Sequence, residues 1–162
     1  MKKLALAVAV PLALFGAATF YTSTQVESTA RDAVDQANLK LREMGVGAGA
    51  EVGLTLLSFE RGLLSSTARY QIDIEVADDE GNTEHYALLL QDRLEHGPFP
   101  VSRLSRGQLM PVAAQSHFEL ERTPLTQKLF DAASGEVPLV GDVTIGYDGG
   151  QAGDLRTAAL NI

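Results

Sequence analysis

The stretch from Ala68 to Val76 constrains the fold more than any other part of the chain. Ala68, Tyr70, Ile72, Ile74 and Val76 alternate with Arg69, Gln71, Asp73 and Glu75. Successive side chains on a strand point to opposite faces, so this period of two gives one apolar and one wet face. Half-buried strands of this kind belong to antiparallel sheets, because parallel strands are covered on both sides and read as unbroken apolar runs. Asp78-Asp79-Glu80-Gly81-Asn82 is a polar turn, and Glu84 to Leu94 reads as the returning strand. Upstream, Val52, Leu54 and Leu56 share a face, Leu57 and Phe59 are expected on the other, and Arg61-Gly62 is the expected turn. Together these segments predict a three-stranded meander.

Further strands are expected over 114–121 and 142–147, with Asp148-Gly149-Gly150 as a turn and another strand starting at Arg156. Thr123-Pro124 is expected to open a short helix: threonine caps, proline suits the first helical position, Leu125, Leu129 and Ala132 line one face, and Gly135 ends it. Before the sheet, Val26, Ala30, Ala33, Ala37, Leu41 and Met44 recur every three or four residues and predict an amphipathic helix over 26–44. Its alanine-rich face suits packing on the sheet, or self-association into a homo-oligomer. Gly45, Gly47 and Gly49 are expected to end it.

Ahead of that helix, Lys2-Lys3 is followed by an apolar run from Leu4 to Tyr21. Eighteen helical residues span roughly 27 Å, close to the thickness of a hydrocarbon core. The run is long for a signal peptide and ends in Phe20-Tyr21, an aromatic pair suited to a membrane interface. The expectation is therefore a retained, single-pass anchor in a bacterial inner membrane, with the lysines cytoplasmic and the bulk of the chain periplasmic. The alternative is cleavage at the small-residue site after Ala18, releasing the chain to the periplasm. The expected divisions are an anchor over 1–22, an amphipathic helix and glycine linker over 23–49, and a β-rich domain over 50–162. The fold class is α+β: a transmembrane helix continuing into an amphipathic helix, then a mainly antiparallel sheet with one short helix.

The chain has 162 residues and a net charge of -8. Two of its thirteen basic residues sit in the N-terminal flank, so the remainder is more acidic still. Nucleic-acid binding needs clustered Lys and Arg, and is excluded as an expectation. Cysteine is absent, which removes thiolate zinc sites, iron–sulfur clusters and thiol nucleophiles.

No residue set carries a catalytic motif. His85, His96 and His117 have no short ligand spacing, and neither a metal nor a cofactor is expected. Ser65-Ser66 lacks a nucleophile elbow. Glu95 and His96 are neighbours on a predicted strand and should point to opposite faces. The glycines at 45, 47 and 49 precede a strand instead of opening a helix, so they are no phosphate loop. Asp78, Asp79 and Glu80 do not match a calcium loop. His96-Gly97-Pro98-Phe99-Pro100 interrupts the strand pattern, and its two prolines predict a stiff extended turn presenting Phe99.

Three stretches resemble the YdgA-like family of bacterial envelope proteins, built around a domain of unknown function. They are Phe59-Glu60-Arg61-Gly62-Leu63-Leu64-Ser65-Ser66, the hallmark-like His96-Gly97-Pro98-Phe99-Pro100, and Leu129-Phe130-Asp131 with Gly135-Glu136, Pro138 and Ile145-Gly146-Tyr147. The resemblance implies single-pass inner-membrane proteins with a periplasmic, mostly β region, and no family catalytic residues. Members are usually longer, so the β region is expected to be the front part of a larger domain, its last strand running into Ile162. The function expected is that of a non-enzymatic envelope protein. It binds the bilayer through residues 4–21, and a lipid or envelope-protein partner through its sheet. The competing expectation is an enzyme centred on His96 with a nearby carboxylate.

Overall fold

The computed structural model describes residues 26–45, 50–77, 80–148 and 150–159. The expected anchor over 4–21, the cleavage site at Ala18 and the end of the chain at Ile162 lie outside the described residues. Among those described, no helix is long and apolar enough to cross a membrane.

Helix α1 (Val26–Gly45) leads into strands β1 (Ala50–Glu60), β2 (Ser65–Ala77) and β3 (Thr83–His96). A one-turn helix α2 (Val101–Ser105) precedes β4 (Ala114–Leu120), and α3 (Gln127–Ala132) precedes β5 (Leu139–Ile145) and β6 (Gln151–Thr157). The strands form one six-stranded sheet in sequence order, every pair antiparallel. The fold is thus α+β with a mainly antiparallel sheet, as the alternation at 68–76 requires.

Cross-strand partners share a face, so the register assigns each residue its side. One row runs Phe59, Ala68, Asp92, Phe118, Gly141 and Leu155; another runs Ser66, Leu94, Ser116 and Val143. This face carries the core, where Leu54, Tyr70, Ile72, Leu90, Leu94 and Ile145 join one cluster with Val34, Ala37 and Leu41 of α1. Ala30, Ala37 and Leu41 of the apolar stripe of α1 are therefore buried inside the chain, and the helix packs on β1. The side chains of Val26, Ala33 and Met44 are not among those described.

β1 is an edge strand, and α1 covers its free side through Asn38. The Asn38 amide nitrogen donates to the Leu54 carbonyl at 2.8 Å, and its carbonyl accepts the Leu54 N–H at 2.7 Å. One side chain thereby replaces the backbone partners a further strand would supply.

Two expectations about β1 and α3 change. A bulge between Leu56 and Ser58 leaves Leu57 without a partner and 46% exposed, and returns Phe59 to the core face opposite Ala68. An extra residue inverts the side-chain alternation beyond it, so Phe59 faces inward with Leu56 rather than outward with Leu57. The helix expected from Thr123-Pro124 becomes regular only at Gln127. Thr123 nevertheless starts the turn: its hydroxyl accepts the Thr126 N–H at 3.2 Å, while the Thr126 hydroxyl accepts the Thr123 N–H at 2.8 Å. This reciprocal pair has the logic of a capping box. The last strand also begins earlier than expected, at Gln151 rather than Arg156.

Candidate functional site

The family-like segment His96–Pro100 lies where β3 leaves the sheet. His96 N–H donates to the Leu64 carbonyl at 2.8 Å, Gly97 N–H to Ala113 O at 2.8 Å, and Val112 N–H to Pro98 O at 3.0 Å. The β1–β2 turn, the 97–112 connection and the start of β4 are thus laced together at one end of the sheet. A side chain at Gly97 would collide with the Val112 and Ala113 carbonyls, so only glycine permits this approach. The Gly97-Pro98 bond is cis. Pro100 is buried, and its carbonyl accepts the N–H groups of Arg103 and Leu104 to start α2. The segment expected to be only a stiff turn therefore also launches a helix. These interactions make Gly97, Pro98 and Pro100 architectural.

Phe99 is the exception in the motif. It is exposed, and Leu63, Leu64, Val101, Leu109 and Met110 stand exposed in the same laced segments; Leu63 is 94% and Met110 78% accessible. Single surface leucines are ordinary, but six large apolar side chains exposed in segments bonded to one another make a candidate interaction surface.

Glu95 and His96 separate across the sheet as alternation requires. His96 turns to the core face, where its Nε2 lies 3.0 Å from the hydroxyl of Ser66, itself only 1% exposed. Glu95 turns to the polar face, where its Oε2 accepts the Ser102 N–H at 2.9 Å and the Ser102 hydroxyl at 2.5 Å, fixing the first turn of α2. Among the described residues the side-chain partner of His96 is the buried Ser66 and no carboxylate. Among the described residues no three of His, Asp and Glu gather as a metal set. His85 pairs with Glu75 at 3.2 Å on an exposed stretch of the polar face.

The polar face holds a group that sequence reading passed over. Arg93, His117, Asp142 and Asp154 are successive partners across β3 to β6, with Glu95, Gln115 and Thr144 in the adjoining row. His117 Nδ1 donates to Asp142 Oδ1 at 2.7 Å, and Arg156 binds the other oxygen of Asp142. Thr144 donates to Gln115 at 2.7 Å. Of these, Arg93, Glu95, Gln115, His117, Asp142 and Arg156, with Ser102 and Ser105 of α2 and Arg106 just after it, line an open cleft of about 360 Å³. The signal existed in sequence only as widely spaced polar positions on alternating strands, which the antiparallel register draws together.

On the core face, Asp92 is 7% exposed in a row otherwise made of Phe59, Ala68, Phe118, Gly141 and Leu155. Burial pushes its carboxyl up to about 6; the Ser116 hydroxyl, donating at 2.7 Å, opposes the rise, as do the charge and backbone N–H of His117.

The profile of the bacterial proteins of unknown function called DUF945 matches residues 1–162. The chain belongs to this family. It is 29% identical to Protein YdgA of Escherichia coli over 99% of its own length and 32% of the relative's. It is 27% identical to the uncharacterized protein YihF of the same organism, over 98% of the chain and 33% of YihF. An uncharacterized protein of Haemophilus influenzae is 26% identical over 98% of the chain and 43% of that protein. The chain spans about a third of the length of the two Escherichia coli relatives. No solved structure matches it.

Proposed function

We propose that this DUF945 member is a non-catalytic envelope protein, held in the bacterial inner membrane by residues 4–21, whose sheet binds a lipid on its periplasmic side. The observation that carries the lipid reading is the exposed apolar group around Phe99 at the laced end of the sheet. Among the described residues the broad apolar face of the sheet is filled by the core, while the side chains at this end stand open to solvent. The anchor rests on the run from Leu4 to Tyr21 and its lysine flank. A His96-centred enzyme has less support, because among the described residues His96 meets a buried serine and no carboxylate.

Two measurements test the reading. Membranes washed with alkaline carbonate should retain the protein, and a mature N-terminus near Thr19 would overturn the anchor. Detergent-exchanged protein should carry extractable acyl lipid, detected by mass spectrometry. The Leu64→Ser/Phe99→Ser/Met110→Ser variant should lose that lipid without losing its far-UV circular dichroism. Absence of lipid from the parent protein would overturn lipid binding and direct attention to a protein partner for the same surface.

A further inference from the structure

We infer that the cleft on the polar face is a phosphate-binding site. The chain is acidic overall, with 21 acidic against 13 basic residues, yet this cleft draws Arg93, Arg106, Arg156 and His117 together. Its two carboxylates are already committed within the protein. Glu95 is held by the Ser102 N–H and hydroxyl, and Asp142 by His117 and Arg156. What the cleft presents outward is therefore guanidinium.

Arg93 and Arg106 are placed for a ligand rather than for each other. Arg106 is fixed by its Nε, which donates to Ser102 O at 3.1 Å, and among the described residues its terminal nitrogens have no partner. Arg93 reaches Glu95 only at 3.9 Å and is largely exposed. Arg156 is held by Asp142, which leaves the guanidinium groups of Arg93 on β3 and Arg106 just after α2. Two such groups from different elements suit an anion with several oxygens pointing in different directions, as in a phosphate ester. A planar carboxylate would satisfy one fork and leave the other unused.

Helix α2 divides this cleft from the apolar group. Val101 and Leu104 lie three apart and are exposed, while Ser102, Ser105 and Arg106 face the cleft. One helical turn thus separates an apolar surface from a cationic one, the layout that a phosphate-headed amphiphile requires. The lipid headgroup as source rests on the lipid reading above; the phosphate site itself does not.

The test uses the full chain in a non-ionic amphipol, which carries no phosphate, and three probes: inorganic phosphate, monomeric dihexanoyl phosphatidylglycerol, and octyl glucoside below its micelle concentration, which has a chain but no phosphate. Binding is followed by amide chemical shifts and calorimetry. Arg93→Gln/Arg106→Gln removes two exposed side chains and is compared with Arg31→Gln, remote on α1. The expected result is that the double variant weakens phosphatidylglycerol at least about tenfold and added salt weakens the parent likewise. Octyl glucoside binding and the Arg31→Gln variant should be unaffected. Phosphatidylglycerol binding much tighter than inorganic phosphate identifies a headgroup; equal affinities identify free phosphate and support the site while removing its lipid source. Binding of either phosphate probe with no sensitivity to Arg93→Gln/Arg106→Gln overturns the inference, as does failure of both to bind. Octyl glucoside binding tells that failure apart from failure of the apolar surface.

Discussion

Replacing Asp92 with asparagine should stabilise the protein at neutral pH and leave it unchanged in mild acid. Asp92 is buried among apolar neighbours, and its carboxyl is raised from 3.8 to about 6. A carboxyl whose folded pKa exceeds its unfolded one favours folding while protonated. Stability is therefore greatest below the unfolded value near 4, and falls as pH rises through the folded value near 6. The difference of about two units corresponds to about 3 kcal/mol. Asparagine copies the shape of the neutral acid and keeps an acceptor for the Ser116 hydroxyl, which donates at 2.7 Å. Urea unfolding of parent and Asp92→Asn proteins, followed by far-UV circular dichroism from pH 4 to 8, isolates this group, since the other carboxylates titrate alike in both. The stability difference should be near zero at pH 4 and should grow to about 3 kcal/mol in favour of asparagine above pH 7. A flat difference, or an asparagine variant less stable at every pH, would refute the burial argument.

Three further outcomes follow from the packing. Asn38→Leu should cost about 1–3 kcal/mol, because the Leu54 N–H and C=O lose both partners at the sheet edge; hydrogen exchange at the Leu54 amide should accelerate, and unchanged protection would count against edge coverage. Gly141→Val should destabilise by about 1–3 kcal/mol, since its side chain would occupy the space of the Phe118 ring; pairing it with Phe118→Ala should recover part of the loss, and strict additivity would show that the two do not compete. Leu94→Ala, at a position with no exposed surface, should cost about 2–5 kcal/mol in urea unfolding, and a loss under 1 kcal/mol would mean the site collapses freely.

Legibility in the sequence followed the range of the interactions. The α1 periodicity and the β2 alternation are local patterns, and the structure follows them. Helix α2 was missed because the carboxylate that receives its first-turn N–H comes from β3, seven residues earlier, and no local cap announces it. β6 was only half seen, because Gln151 to Thr157 forms an outer strand with little apolar content to alternate. The inward turn of Phe59 was misread, because a bulge is set by the register with β2 and leaves no trace in the pattern of one strand.

The candidate sites divide in the same way. Sequence alone determined that Glu95 and His96 cannot act together, since adjacent strand residues face opposite sides. It also singled out His96–Pro100 as the segment where the sheet is interrupted. Only tertiary structure decided what those residues meet: Ser66 for His96, the Val112 and Ala113 carbonyls for Gly97, and solvent for Phe99. The arginine-lined cleft belongs wholly to the second kind. Arg93, Arg106, His117 and Arg156 are distant in sequence, and only four antiparallel strands and one turn of helix bring their charges to one place.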